Sequence, residues 1–390
     1  MKYWRGFLVA GLIGILTVAL SMLADKYSLL VDMVYPYASR TILTTLANWS
    51  GTVDFTLWQV LAVLIVLGLL ATIVLMVILK WNFFQWLGWV LAGANMLWLL
   101  HTGVWGLNNY ASPLAEDLRL TVTEYTLQEL EDATVYYRDQ ANALAESMAR
   151  DESGKLIYDD FEALAAMAND GFHNLTYSGQ AAVFAGSAAP VKKLGWAEMY
   201  SSMGITGMTM PITGEAAVNP MIPVVSLPFT MCHELAHRMA IAPERDANLA
   251  GFLGCVFNNN PQFAYSGYFM AYRYCINAMK SVGSAEASAA AVRISTGVNE
   301  YLKADLADYN AFFVQHQKPA ASTVANTVND TFIKVSGDDA GVRSYGEVCD
   351  LLVSWHIQEI LQSDQDRNES DFDPSDKNQV DISDILEGRQ

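Results

Sequence analysis

Three stretches of this chain are long, apolar and nearly free of charge, and they constrain the fold more than any other feature. Residues 7–23 and 57–79 contain no charged side chain, and residues 83–107 contain only His101. A bilayer crossing needs about 20 apolar residues. In hydrocarbon a single segment must satisfy its own backbone, which a helix does. Each stretch is therefore predicted to be a transmembrane helix. Residues 7–23 also have the basic start and apolar middle of a secretion signal. Ala24-Asp25-Lys26 is a poor cleavage site and two further spans follow, so the first stretch reads as a retained helix.

The rest of the chain differs in kind. Nearly all of the acidic residues fall within 108–390, which reads as a folded domain outside the membrane. The expected plan is a three-helix anchor over 1–107 with a loop at 24–56, a mainly α, α+β domain over 108–362, and an acidic disordered tail over 363–390. The tail is dense in Asp, Ser, Asn and Gln and has too little apolar content to pack. Basic residues near helix ends set orientation. Lys2, Arg5 and Lys80 place the N-tail and the second connection in the cytoplasm, and the 24–56 loop and residues 108–390 outside it. Trp81, Trp86, Trp98 and Trp105 fit interfacial belts, and His101, near a helix end, reads as an interfacial polar residue.

A net charge of −18 excludes nucleic acid as a partner, because phosphates need basic partners. It also disfavours electrostatic binding to an anionic membrane face. The partners expected are the lipid bilayer and a peptide or protein. Cys232, Cys255, Cys275 and Cys349 lack paired metal spacing and read as small buried hydrophobes; a Cys255–Cys275 bridge is the alternative.

Within the outer domain, helices are expected at 126–150, with Thr126 as cap, and at 158–168. Short strands are expected at 181–185 and 204–211. Beyond Pro223 the pattern is helical, near 225–239, 244–257, 262–280, 297–313, 320–335 and 344–362.

One stretch carries chemistry: Thr230-Met231-Cys232-His233-Glu234-Leu235-Ala236-His237-Arg238. Two His at i and i+4 lie on one helix face, so both imidazoles can reach one metal ion. Glu234 can hold a water beside that ion and act as general base. The chain has only six His, so chance seldom produces this spacing; the alternative is a surface helix with incidental His. A third ligand is needed, and Glu244 and Asp246 follow closely. Pro243 fits the first position of a new helix. Acids also favour any first helical turn through the dipole, which is the other reading of both. Residues 244 and 246 point about 200° apart on a helix, so only one can face the ion. Glu244 shares a face with Asn248 and is preferred; Asp246 then points away, toward Arg245 or Arg238.

With these residues the chain resembles gluzincins, metallopeptidases that combine HExxH with a Glu from the following helix in an ExxxD or ExxA[DN] pattern. Glu244-Arg245-Asp246-Ala247-Asn248 matches ExxAN. More closely, it resembles an uncharacterised, domain-of-unknown-function family of three-pass bacterial membrane proteins. That likeness spans most of residues 27–356. It includes Tyr35-Pro36, the run from Gly204-Ile205-Thr206-Gly207 to Glu215, Leu227-Pro228-Phe229-Thr230 leading into HELAH, Tyr265-Ser266 and Ser344-Tyr345-Gly346.

The resemblance implies a zincin-like fold with Zn2+ held by His233, His237 and Glu244, and Glu234 as base. It implies Asn248 as the partner of a ligand His, in place of the usual Asp. It also implies a cleft-rim strand that pairs with extended substrate, bringing Gly204, Thr206, Gly207, Met208 and Glu215 to the cleft. Tyr265, Tyr268 or Tyr272 could donate to an oxyanion, with core packing as the alternative; Arg273 has the same two readings. The expected function is a membrane-anchored zinc endopeptidase. Its rivals are an intramembrane protease and a non-catalytic sensor or scaffold. A reporter that works only outside the cytoplasm, fused after residue 150, should be active, and a reporter working only inside would overturn the orientation.

Overall fold

The computed structural model describes residues 4–177, 179, 182–186, 189–335 and 344–361. The tail expected beyond 362 lies outside them. Three helices are long and apolar enough to cross a membrane: α1 (Arg5–Lys26) and, after an intervening helix α2 (Ser28–Ser50), α3 (Leu57–Ile78) and α4 (Phe83–Val104). Gly6 and Gly88 oppose each other so closely that a Cβ on either would lie within 3 Å of the other's backbone region. Small residues permit such close approach in a bilayer. Further along, the Asn95 amide donates to the Ala10 carbonyl at 2.8 Å. Contacts rise together along both chains, so α1 and α4 run parallel. The N-terminus therefore shares a side with the α3–α4 turn, and the rest of the chain emerges on the other.

α2 corrects the expectation of a loop at 24–56. Pro36 lies inside it. Its buried residues Ser39, Arg40, Leu43, Ala47 and Ser50 recur every three to four positions, the spacing of one helix face. That face packs on the outer domain.

The domain that follows α4 begins with a short α5 (Leu114–Asp117) and the long α6 (Leu127–Ser147). A reciprocal Thr126–Glu129 capping box starts α6 as Thr126 led us to expect. Then come α7 (Phe161–Met167), α8 (Asp170–Tyr177), β1 (Lys192–Lys193), α9 (Ala197–Met203), β2 (Gly207–Met210) and β3 (Glu215–Val218). The strand expected at 181–185 is instead a 3-10 turn over Ala182–Phe184. The strand at 204–211 is shorter than expected, and β3 was not foreseen. The sheet order is β1-β3-β2, with β3 parallel to β1 and antiparallel to β2, Met208 facing Ala217.

Helices complete the domain: α10 (Leu227–Arg238), α11 (Glu244–Val256), α12 (Pro261–Ser281), α13 (Ala285–Thr296), α14 (Glu300–His316), α15 (Pro319–Val335) and α16 (Ser344–Trp355), which opens into a wide turn over His356–Leu361. α13 was not foreseen. α6, α10, α11, α12 and α16 enclose one core in which Tyr137, Phe252, Phe263, Tyr265 and Phe269 are fully buried. The four cysteines are free and buried. Cys255 lies against Cys232 and Cys275 against Cys349, so Cys255 and Cys275 are not bridged to each other.

Glu215 joins sheet to membrane helix. Its carboxylate accepts from the Leu57 and Trp58 backbone N–H groups, at 2.7 and 2.8 Å, and pairs with Lys192 at 2.7 Å. A helix N-terminus has unsatisfied donors and a positive dipole end, so an anion there is favourable. Thr56 and Gln59 bond the same β1 segment. Removing one partner of a buried ion pair leaves the other charge uncompensated. Glu215→Ala should therefore lower stability by about 3–5 kcal/mol, read as an earlier thermal midpoint in detergent. Glu162→Ala, which breaks an exposed pair with Lys193, should leave that midpoint in place.

Candidate metal centre

α10 begins with Pro228 in its first turn, where a missing N–H costs little. The Ser266 hydroxyl accepts from the Phe229 N–H at 3.0 Å and ties this end to α12. The helix pitch then brings His233 and His237 together, their rings 4.7 Å apart and nearly perpendicular.

The helix ends at Arg238, and the chain turns through Ala240 with φ of 72°. That left-handed residue sends the Ile241 N–H back to the Ala236 carbonyl, closing the helix end. It also aims the Ile241 carbonyl at Nδ1 of His237, 2.8 Å away. With its proton on Nδ1, His237 leaves the Nε2 lone pair for an ion.

Pro243 flanks α11 and Glu244 is its first residue, one position later than the sequence suggested. Glu244 Oε2 lies 3.3 Å from His233 Nε2 and 3.6 Å from His237 Nε2. The three ligand atoms lie within 4.8 Å of one another. Two ligands of a tetrahedral zinc at 2.0–2.1 Å are separated by about 3.3 Å, which the two Glu244–His distances approach. Glu244 Oε2 is buried, and the groups facing it are the two imidazoles; such a position suits a carboxylate whose partner is a cation.

Burial alone would lower the His237 pKa; the Glu244 and Glu234 carboxylates and the Ile241 carbonyl outweigh it and raise the value to about 9. Burial would raise the Glu244 carboxyl, but the two imidazoles hold it well below the usual range. A metal ion held by His237 would have to compete with a proton for Nε2.

Glu234 stands beside these ligands, almost wholly buried. The Thr209 hydroxyl is 2.8 Å from both its carboxylate and its backbone carbonyl. Burial pushes its pKa up against the downward pull of the imidazoles and Thr209, and the net shift is upward. A base with a raised pKa is better matched to proton transfer near neutrality. Gly207 on β2 lies directly over this carboxylate; a Cβ there would be 2.4 Å from Oε1.

The structure divides the other expected site residues. Gly207 faces Glu234. Thr206 uses its carbonyl to accept from Asn219. Met208 points away, packing against the Leu194–Tyr200–Ala217 cluster, as strand alternation requires. Gly204 ends α9 with φ of 77°, against Gln317. Glu215 serves α3, as described.

Tyr265 is a core residue whose hydroxyl donates to Asp305 at 2.5 Å, and Asp305 also pairs with Arg150. Tyr268 stacks among Tyr136, Tyr137 and Phe252, and Tyr272 is buried. Arg273 sits 3.7 Å over the Tyr309 ring. The core-packing reading therefore holds for these tyrosines.

Asp246 points away from the His233–His237–Glu244 cluster. It accepts from the Leu114 N–H at 3.0 Å and lies 3.3 Å from Arg245. The expected Asn248–His bond is not made. Tyr274 donates to Asn248 Oδ1 at 3.0 Å, and the Nδ1 of His237 is taken by Ile241.

Sequence reasoning missed Thr209, Tyr274, Trp105 and Arg40. Trp105, expected at the membrane interface, is buried. Its indole N–H donates to the His237 carbonyl at 3.0 Å, and Arg40 Nε donates to the Met239 carbonyl at 3.1 Å. Alternation from Gly207 could have found Thr209. Nothing local could have found Trp105 or Arg40.

Comparison with known proteins places the chain in a family. Residues 31–353 match the family described as Protein of unknown function (DUF3810), and the chain belongs to it. The match begins inside α2 and ends inside α16, so it takes in α3 and α4 as well as the outer domain. No curated protein and no solved structure matches the chain.

Glu244→Ala should abolish tight zinc binding, whereas Asp246→Ala should retain it. The second variant should instead lose about 1–3 kcal/mol of stability, because a buried N–H loses its acceptor. Chelator competition and thermal unfolding on both proteins check this; a larger zinc loss in Asp246→Ala would overturn the ligand assignment.

Proposed function

We propose that this protein is a membrane-anchored zinc-dependent endopeptidase whose site lies outside the bilayer. The observation that carries the reading is the convergence of His233, His237 and Glu244 ligand atoms with the Glu234 carboxylate beside them. A bound zinc would acidify a water and polarise the scissile carbonyl.

Glu234 takes the proton as water oxygen attacks the carbonyl carbon, and returns it to the amide nitrogen as the C–N bond breaks. Thr209 holds the carboxylate in one orientation, and Gly207 leaves space before it. β2 has no strand on its outer side among the described residues, so an extended peptide can add there by main-chain hydrogen bonds. α10 has 12 residues, too few to span a bilayer, which speaks against intramembrane proteolysis. Basic residues at the N-tail and Lys80 favour an extracytoplasmic domain.

Glu234→Gln should keep about one zinc per chain, as three ligands require, while turnover falls about 10²–10⁴-fold. The test pairs elemental analysis with a proteomic comparison of cleavage products in cells carrying wild type or the variant. Unchanged cleavage in the variant would move the base elsewhere; a wild type that binds zinc and cleaves nothing would favour the sensor reading.

A further inference from the structure

Helix α2 presents two unlike faces. One packs on the outer domain through Arg40, Leu43 and Ala47. The other, in the first half of the helix, leaves Leu29, Leu30, Met33, Val34 and Tyr37 each more than half exposed, with Tyr27 just before it. The only charged residues of α2 are Asp32 and Arg40. Asp32 accepts from the Ser112 N–H, and Arg40 donates to Met239 and Ala182. Both are engaged with the chain that follows α4, so no charge is left for the outward face. A helix surface in water does not ordinarily keep that composition.

Connectivity sets how α2 lies. Tyr27 alone joins it to the end of α1, and residues 51–56 join it to the start of α3. Both of those span ends are on the domain side. A helix of 23 residues is about 34 Å long. The link from Ser50 to Leu57 reaches at most about 25 Å. An upright α2 would carry its far end beyond the reach of that link, so α2 is inclined toward the membrane surface rather than upright. Along the way the Tyr35 hydroxyl donates to the Thr102 carbonyl and the Ser39 hydroxyl to the Val104 carbonyl, both in the last turn of α4. α2 is thus level with the end of a span, its domain face up and its apolar face turned away from the domain.

We propose that α2 is a bilayer-surface helix whose Tyr27–Tyr37 half lies in the lipid interface beside α1 and α4. The apolar face continues the lipid-facing surface of the spans. Aromatic side chains at 27 and 37 suit the headgroup layer. Attraction is apolar, so it needs no anionic lipid, in keeping with an acidic chain. Because Arg40 of α2 donates to the Met239 carbonyl just past α10, this helix also ties the His233–His237 segment to the membrane surface. The inference does not depend on the catalytic reading.

The test uses the full chain in phosphatidylcholine vesicles, with a single nitroxide-labelled cysteine at Leu30, Val34 or the exposed Ser288 of α13. The four native cysteines are buried, and Leu30 and Val34 are exposed, so labels there displace no packed side chain. At 30 and 34 collisions with oxygen should exceed those with a water-soluble nickel chelate, with the ratio inverted at 288. Chelate-dominated collisions at 30 and 34 would place the face in water and overturn the proposal. Protection from both reagents, with lines that broaden as the labelled fraction rises, would show a second copy on this face and overturn it equally.

Discussion

A helix that ends inside a protein leaves its last carbonyls without partners in the helix, and something must supply donors. α10 carries both histidines and ends there. The His237 carbonyl receives the Trp105 indole N–H and the Met239 carbonyl receives Arg40. Both donors come from the membrane-proximal part of the chain. Between them Ala240 adopts a left-handed conformation that a residue with a Cβ seldom takes. Its methyl packs with Leu43, Trp105 and Ala242. The turn that aims Ile241 at His237 is therefore held by α2 and by Trp105 just past α4, and the orientation of the His237 ring depends on residues far away in sequence.

The two sides of the site are built differently. On the ligand side, charges compensate one another: the Glu244 carboxylate faces two imidazoles. On the base side, Glu234 has a hydroxyl, burial and a glycine that keeps clear of it. Two carboxylates a short distance apart are thus driven in opposite directions, Glu244 toward the anion and Glu234 toward the proton. Divergence of this kind is what the proposed roles, Glu244 as ligand and Glu234 as general base, call for.

What could be read in the sequence was what is local. The histidine spacing and the opposed directions of Glu244 and Asp246 follow from helix pitch, and the structure brings Glu244 to the histidines while Asp246 turns to Leu114. The three apolar helices were legible from length alone. α2 was not, because Pro36, Asp32 and Arg40 interrupt its apolar pattern, and the partners that accommodate the two charges are distant. Glu215 was placed at a cleft by its position in a motif run; its real partners are N–H groups 157 and 158 residues away. Tyr265 was one tyrosine among 18, and nothing local distinguished it from Tyr274, which does approach the site.

Composition divides the chain at about residue 107, but the hydrogen bonds do not. A fragment cut there would lose Arg40 and Trp105 together, and with them the donors at the end of α10. It would also lose the helix start that Glu215 caps, leaving Glu215 and Lys192 with fewer partners. The smallest piece able to hold the histidine pair in place is longer than its water-exposed part. In that sense the N-terminal part is an internal strut of the domain rather than a tether.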